Sequence, residues 1–349
     1  MAVKIKTTLA GVLAVLGSSA ACAQSSVAVY GVVDEYLGIT KTQGKASNKS
    51  LDSGGYMASR LGFRGSEDLG AGVKVNFALE HGLGADTGAL SDTARFFNRA
   101  SWVGLSGGFG ETRLGRQNTP QFFMLGSFDA FGGATYGSLL NNVTGYVPRF
   151  DNSIYYLSPE LSGVKLQAGM SLGEKAGSGS ALNAYLLAAE YKASNFYLGI
   201  NHTRQKSADN SFTVDASFLG GNFDYGSGKV YAGLFLGDTP GSNPGANTKG
   251  RKTKAWSLSA DYRITPALSL GALVGAANDT TATNADATQY SFIGNYALSK
   301  RTLIYAVGTR LNNKNAANFS LGAAGPITRD VPAAGADVGG VQIGIRHLF

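Results

Sequence analysis

The chain has 349 residues, of which 49 are Gly and 8 are Pro; 15% are charged, and the formal net charge is +7. Soluble chains usually contain about 7% Gly and about 25% charged residues, so this composition argues against two ordinary soluble domains. A single Cys and three His exclude a disulfide scaffold and a Cys-rich metal site. We predict neither a metal site nor a cofactor.

The first 23 residues have the features of an export signal. Lys4 and Lys6 precede a short apolar run, and residues 21–23 (ACA) match a small-residue cleavage site. The apolar run is too short to span a bilayer, which needs about 20 apolar residues. We therefore expect a secretory signal peptide over residues 1–23. A lipoprotein signal that uses Cys22 as the lipidated residue is the alternative.

Apolar and polar residues alternate through the rest of the chain. Residues 256–263 (WSLSADYR) alternate strictly, and residues 164–170 (VKLQAGM) and 268–274 show the same period of two. Successive side chains of a β-strand point to opposite faces, so this period predicts strands with one apolar face. No run longer than the signal peptide shows the period of about 3.6 residues that is typical of a helix.

Short turns and long polar loops are predicted to connect these strands in alternation. The short turns fall at seven places: 67–72, 106–110, 159–163, 193–195, 224–229, 263–267 and 297–301. The long loops fall at eight: 38–56, 83–95, 118–148, 173–183, 204–211, 237–253, 277–287 and 312–337. Seven turns and eight loops connect 16 strands.

This pattern is typical of outer-membrane barrels, whose strands are even in number and are joined by short turns on one side and longer loops on the other. Lipid cannot satisfy backbone N–H and C=O groups, so a sheet spans a membrane only if it closes on itself. We predict an all-β fold: one transmembrane antiparallel β-barrel of about 16 strands over residues 24–349. Six aromatic residues near the short turns fit an interfacial girdle: Tyr156, Tyr191, Phe196, Phe223, Tyr262 and Tyr296.

Five motifs and the end of the chain carry a family resemblance. The motifs are YGVVD at 30–34, SRLGFRGSEDLG at 59–70, ASWVGL at 100–105, LGRQ at 114–117 and NSIYY at 152–156. The last strand, residues 341–349 (VQIGIRHLF), alternates and ends in an aromatic residue. In this order and spacing they resemble the general trimeric porins of Gram-negative bacteria, of the betaproteobacterial type.

The resemblance implies a homotrimer in the outer membrane that forms a water-filled channel for passive diffusion of small hydrophilic solutes and ions. It implies a third extracellular loop folded into the lumen, which we expect at 118–148. It also implies that Phe349 is an assembly signal for the barrel insertion machinery. Outer-membrane lipid and lipopolysaccharide are further expected partners, and the basic run 249–254 (KGRKTK) either contacts lipopolysaccharide phosphates or is solvated. No nucleic-acid partner is expected.

The resemblance also assigns a cationic wall at the constriction to Arg60, Arg99 and Arg149. Strand alternation turns Arg60 and Arg149 into the lumen, and it adds Arg113, but it leaves the direction of Arg99 open. Fixed guanidinium groups in a narrow pore attract anions, so we expect anion selectivity.

Acidic side chains decide how much of this positive charge is effective. Asp129 is the only charged residue of the loop at 118–148, and we expect it to oppose the arginines. In the alternative interpretation Asp129, Asp34 or Glu80 pairs with individual arginines and neutralises them.

Two other functional classes remain open. A barrel enzyme would need a convergent nucleophile, base and acid. Residues 104–108 match G-x-S-x-G, but a strand follows where a nucleophile elbow requires a helix. We therefore do not expect an enzyme. A secreted β-rich binding protein or adhesin would not explain the terminal Phe349.

Overall fold

A computed structural model of the protein describes residues 26–240, 250–325 and 331–349, so the expected signal peptide lies outside the described residues. Two short helices are present, α1 (Pro120–Leu125) and α2 (Leu139–Val143). The strands are β1 (Ser26–Thr42), β2 (Ser47–Ser53), β3 (Arg60–Gly70), β4 (Val73–Gly84), β5 (Ala89–Leu90), β6 (Ala100–Gly107), β7 (Gly110–Asn118), β8 (Arg149–Phe150), β9 (Ser153–Leu157), β10 (Val164–Ser171), β11 (Ala184–Lys192), β12 (Phe196–Lys206), β13 (Thr213–Asp224), β14 (Gly228–Thr239), β15 (Arg251–Arg263), β16 (Leu268–Asp279), β17 (Ala287–Ala297), β18 (Thr302–Asn313) and β19 (Val338–Leu348).

These strands form one antiparallel sheet that closes where β1 pairs with β19. The closed wall has 16 strands among the described residues, because β2 with β3 and β8 with β9 each form one interrupted wall strand. β5 pairs only with β4, at the base of a loop. The predicted 16-stranded antiparallel barrel is confirmed.

The two ends of the chain meet at the closing seam. The backbone N–H of Gly31 donates to the carbonyl of Phe349 at 3.0 Å, and the N–H of Phe349 donates back to the carbonyl of Gly31 at 3.1 Å. A Cβ atom at Gly31 would lie 2.2 Å from Cζ of Phe349, so the ring packs directly on the glycine backbone. The last residue therefore completes the hydrogen bonding that closes the wall.

Strand alternation separates an apolar outer face from a polar inner one. In β15 every second residue from Arg251 to Ser259 is buried, while Trp256, Leu258 and Tyr262 on the other face are exposed. All six aromatic residues predicted near the short turns are exposed. Among the described residues no helix is both long and apolar enough to cross a membrane.

The predicted turns and loops match the strand ends with one exception, the loop at 38–56. β1 continues to Thr42 and pairs with β2, so most of this polar segment is a hairpin. The chain bends inward only after Ser53, where the backbone N–H groups of Tyr56 and Met57 donate to the buried Asp34 carboxylate at 2.9 and 2.7 Å. The prediction was wrong because a polar segment can still form strands when its backbone groups pair along a hairpin.

The basic run 249–254 is also not the loop patch that was expected. Lys249 lies outside the described residues, and β15 begins at Arg251. Arg251 is buried, and its guanidinium donates to Asn318 Oδ1 at 2.8 Å. Lys252 and Lys254 lie on the exposed face, and Lys252 pairs with Asp238 at 3.1 Å. Alternation thus divides the run between the two faces of the barrel.

The longest described loop, residues 119–148, folds into the lumen and packs against the inner faces of β12–β19, which we call the covered wall. Six of its apolar side chains are almost fully buried: Met124, Leu125, Phe128, Phe131, Leu139 and Leu140. Burying a side chain of this kind contributes about 1.5–3 kcal/mol, so the loop is held mainly by apolar contact.

Hydrogen bonds fix the position of this loop. The Gln121 side chain donates to the Ala216 carbonyl at 3.2 Å, and the Asn142 side chain donates to Gln289 Oε1 at 2.9 Å. The Ala130 N–H donates to Ser259 Oγ at 3.0 Å. Neutral groups therefore make these hydrogen bonds between the loop and the wall. The opening is left on the opposite side of the barrel.

Candidate functional site

Two cavities occupy that opening. The first, of about 470 Å³, is bounded by the folded loop and by residues between β2 and β3. The second, of about 600 Å³, extends along β3 towards Ser66 and the short turn that follows. Arg60, Phe122 and Phe123 line both cavities. These three residues therefore mark the passage between them, which we call the neck.

One carboxylate connects two of the neck cations. Glu80 Oε1 accepts a hydrogen bond from Arg99 Nε at 2.7 Å, and Glu80 Oε2 lies 3.4 Å from Arg60 Nε. Tyr30 donates its hydroxyl proton to Glu80 Oε2 at 3.0 Å. Glu80 and Arg99 are both buried, so this ion pair is held rigidly in a partly dry environment.

Strand register explains this grouping. Glu80 pairs with Gly62 of β3 and with Ala100 of β6, so it lies between the strand ends that carry Arg60 and Arg99. Arg99 precedes β6, and its backbone N–H donates to the Glu80 carbonyl at 3.1 Å. The alternation of β6 does not extend to this position, which is why the sequence left its direction open.

Arg149 has a different environment. Its guanidinium carbon lies 5.1 Å from the centre of the Phe122 ring, and the Arg99 guanidinium lies 5.8 Å from the same ring. Arg149 Nε is buried without a hydrogen-bond partner, and no ion pair joins Arg149 to a carboxylate within the described part of the chain. Arg149 thus keeps its charge available in the first cavity.

Further cations line the second cavity. Arg113 stacks on Trp102 at 4.3 Å from the ring centre and donates to Glu111 Oε2 at 2.7 Å. Arg64 lies over the Tyr30 ring at 5.2 Å. Arg113 therefore lines the second cavity and does not lie at the neck. We call the inner face from β3 to β8, with Arg60, Arg99 and Arg149 at the neck, the arginine wall.

Asp129 does not oppose the arginines. It is buried inside the folded loop, where its carboxylate accepts hydrogen bonds from the backbone N–H groups of Phe131 and Gly133 and from Ser138 Oγ, at 2.8, 3.0 and 2.5 Å. Burial raises the pKa of Asp129, and these hydrogen bonds oppose the rise. The expectation of an acid facing the arginine wall fails because the loop turns this side chain towards its own backbone.

The two other acids weighed in the sequence differ from each other. Glu80 pairs with Arg60 and Arg99, as the alternative interpretation proposed for some arginines. Asp34 instead accepts hydrogen bonds from Tyr56, Met57 and the Tyr305 hydroxyl, the last at 2.6 Å. Asp34 therefore holds the inward bend after β2 and does not neutralise an arginine.

Sequence reasoning missed Arg346 and the aromatic rings beside the arginines. Arg346 lies over the Tyr56 ring at 5.2 Å and points into the lumen. The exposed Ile343 and Ile345 of the last strand could have revealed this direction by alternation. The stacking of Arg149 on Phe122 left no such signal, because it depends on how the loop folds.

Three arginines lie at or beside the neck, and the single carboxylate of Glu80 pairs with only two of them, Arg60 and Arg99, so the local charge is positive. Two unit charges about 8 Å apart interact by about 0.5 kcal/mol in bulk water and by about 2 kcal/mol at an effective dielectric constant near 20. Since about 1.4 kcal/mol corresponds to a factor of ten, a few fixed guanidinium groups can favour anions over cations by roughly tenfold.

A family model and a related protein both match this chain over most of its length. A family model described as Gram-negative porin matches residues 8–316. Outer membrane porin protein 32 of Delftia acidovorans is 32% identical, and the match covers 99% of this chain and 100% of that protein.

Solved structures agree. An anion-selective porin from Comamonas acidovorans superposes with a TM-score of 0.80 at 30% identity, over 93% of this chain and 100% of that one. The trimer form of OmpT, an outer membrane protein of Vibrio cholerae, matches with a TM-score of 0.67 at 15% identity, over 93% of this chain and 99% of that one. The second similarity concerns the fold alone.

Proposed function

Since the chain belongs to the Gram-negative porin family and forms a channel in the bacterial outer membrane, we propose that the arginine wall makes this channel anion-selective. The permeants are small inorganic and organic anions that diffuse passively. The related porin of Comamonas acidovorans is described as anion-selective, which supports the same preference here. Enzymatic activity is not part of the proposal.

The observation that carries the proposal is the charge imbalance at the neck. Arg60 and Arg99 share the single carboxylate of Glu80, and Arg149 has no acidic partner among the described residues. Arg keeps its charge at any relevant pH, so the imbalance persists across physiological conditions.

The zero-current potential of the channel in a KCl gradient tests this proposal. In an anion-selective pore the zero-current potential lies towards the equilibrium potential of chloride. The preference weakens as salt rises, because the Debye length falls from about 10 Å at 0.1 M to about 3 Å at 1 M. A wild-type channel that prefers K⁺ over Cl⁻ would contradict the proposal.

The assembled state and its setting are further parts of the proposal. We infer export by a signal peptide over residues 1–23, a mature domain over residues 24–349, and assembly as a homotrimer among outer-membrane lipid and lipopolysaccharide. The exposed Lys252 and Lys254 are the cations best placed to meet lipopolysaccharide phosphates. A mature protein that is extracted only by detergent and migrates as a heat-modifiable trimer would support this; a detergent-free soluble monomer would not.

We also propose that Phe349 is the assembly signal read by the insertion machinery. Deletion of Phe349 should strongly reduce folded protein in the outer-membrane fraction while export continues, because it removes both the terminal ring and the backbone bonds to Gly31. Phe292→Ala, which removes a more exposed ring from the outer face, is the matched control. Equal amounts of folded trimer with and without Phe349 would contradict the assignment.

A further inference from the structure

An apolar ring stands in the water-filled part of the lumen. Phe123 is 63% exposed, although it belongs to a loop whose other apolar side chains are largely buried. It contacts Phe122 edge to face, with ring centres 5.5 Å apart, and it lines both cavities at the neck. Passage of small inorganic ions does not require an exposed aromatic ring at this point.

The first cavity combines aromatic rings with positive charge. Five aromatic residues line it: Tyr56, Phe122, Phe123, Tyr146 and Phe319. Arg60 and Arg149 are its cations, and none of the described residues that line it is acidic. Its volume of about 470 Å³ falls in the range of about 300–1,000 Å³ that is usual for small-molecule sites.

These two features favour one ligand chemistry. A guanidinium group recognises a carboxylate through two parallel N–H donors, and Arg149 lines the cavity without an ion pair to any described carboxylate. Aromatic rings favour a flat apolar group by edge or offset contact, which contributes about 0.5–1.5 kcal/mol for each ring pair. An inorganic anion or a short aliphatic carboxylate can use only the first of these contacts.

We propose that the neck is a binding site for aryl carboxylates, whose carboxylate is held by Arg149 and Arg60 and whose ring contacts Phe123 and Phe122. This assignment rests on the proposed anion selectivity and names the class of organic anion that the same site prefers. Such anions are retained longer at the neck than chloride or acetate. Their flux through the channel therefore saturates at a lower concentration.

Block of chloride current through single channels in planar bilayers tests the assignment. Sodium benzoate is the probe, sodium acetate tests charge without the ring, and benzyl alcohol tests the ring without charge. Benzoate should reach half-block at a concentration about tenfold below that of acetate, which corresponds to about 1.4 kcal/mol from ring contacts. Benzyl alcohol should block only weakly.

Phe123→Ala should reduce the preference for benzoate over acetate by at least about twofold, because one ring contact of about 0.5–1.5 kcal/mol is lost. The variant removes an exposed ring, so the barrel should still fold, and the benzoate preference is compared with the zero-current potential in KCl of the same channels. Phe96→Ala is the matched control, since Phe96 is also 63% exposed but lies outside both cavities.

The outcomes separate this assignment from the proposed function. Equal half-block by benzoate and acetate in an anion-selective channel would overturn the aryl-carboxylate site alone. Equal block by benzoate and benzyl alcohol, or an unchanged benzoate preference in Phe123→Ala, would overturn it as well. A channel that prefers K⁺ in the KCl gradient would instead overturn the anion selectivity on which it rests.

Discussion

The covered wall and the arginine wall face each other across the same barrel, yet they are built from different interactions. On the covered wall, loop side chains such as Leu139 and Phe128 are fully buried, and neutral amides make hydrogen bonds between the loop and the wall. On the arginine wall, guanidinium groups lie on aromatic rings and line the two cavities. Apolar packing on one side thus sets the size of the opening, and charge on the other side selects what enters it.

Introducing a charge between the folded loop and the covered wall should have the largest effect. Leu140→Asp places a carboxylate in a fully buried site without a partner, which costs several kcal/mol in addition to about 2–5 kcal/mol for the lost side chain. The loop should leave the wall, so single-channel conductance should rise and selectivity should fall.

Leu172→Asp is the control for this experiment, because Leu172 is exposed and lies in a different loop. A Leu140→Asp channel with wild-type conductance would show that apolar packing does not hold the loop in place.

Removing cations from the arginine wall should change selectivity and leave the aperture in place. In the double variant Arg60→Ser with Arg149→Ser, a preference of roughly tenfold for anions should fall towards the non-selective value. Arg204→Ser is the control, because Arg204 is exposed and pairs with Asp215 away from both cavities. An unchanged zero-current potential in the double variant would place the selecting charges elsewhere.

The smallest effect should come from Asp129, which holds the folded loop. Burial raises its pKa, so the docked loop binds a proton more tightly than an exposed loop would. The proton therefore favours docking at low pH, and this contribution is lost as pH rises through the raised pKa. Loop-dependent current fluctuations should accordingly increase with pH in the wild type.

Asp129→Asn should remove most of this pH dependence, which recordings at fixed voltage across the acidic range can measure. Asp209→Asn is the control, since Asp209 is exposed in another loop and hydrogen bonds from Ser207 and Ser211 lower its pKa to about 2. Equal pH dependence in wild type and Asp129→Asn would assign the effect to other groups.

The difference between the two walls also explains what the sequence could reveal. Strand number, turn positions and the direction of Arg113 follow from a period of two, which is imposed by local backbone geometry. The placement of Asp129 does not, because its partners are set by a loop that folds against distant strands. The bridge from Glu80 to Arg60 and Arg99 required the register between β3, β4 and β6, and alternation alone does not fix register.

Substitution of Glu80 by Gln tests the central claim most directly, because it removes the one carboxylate that Arg60 and Arg99 share at the neck. If the balance of charge on the arginine wall sets selectivity, the zero-current potential of Glu80→Gln in a KCl gradient should shift towards stronger chloride preference, opposite to the shift in the arginine variants. A potential that stays unchanged, or that moves towards K⁺, would contradict the account.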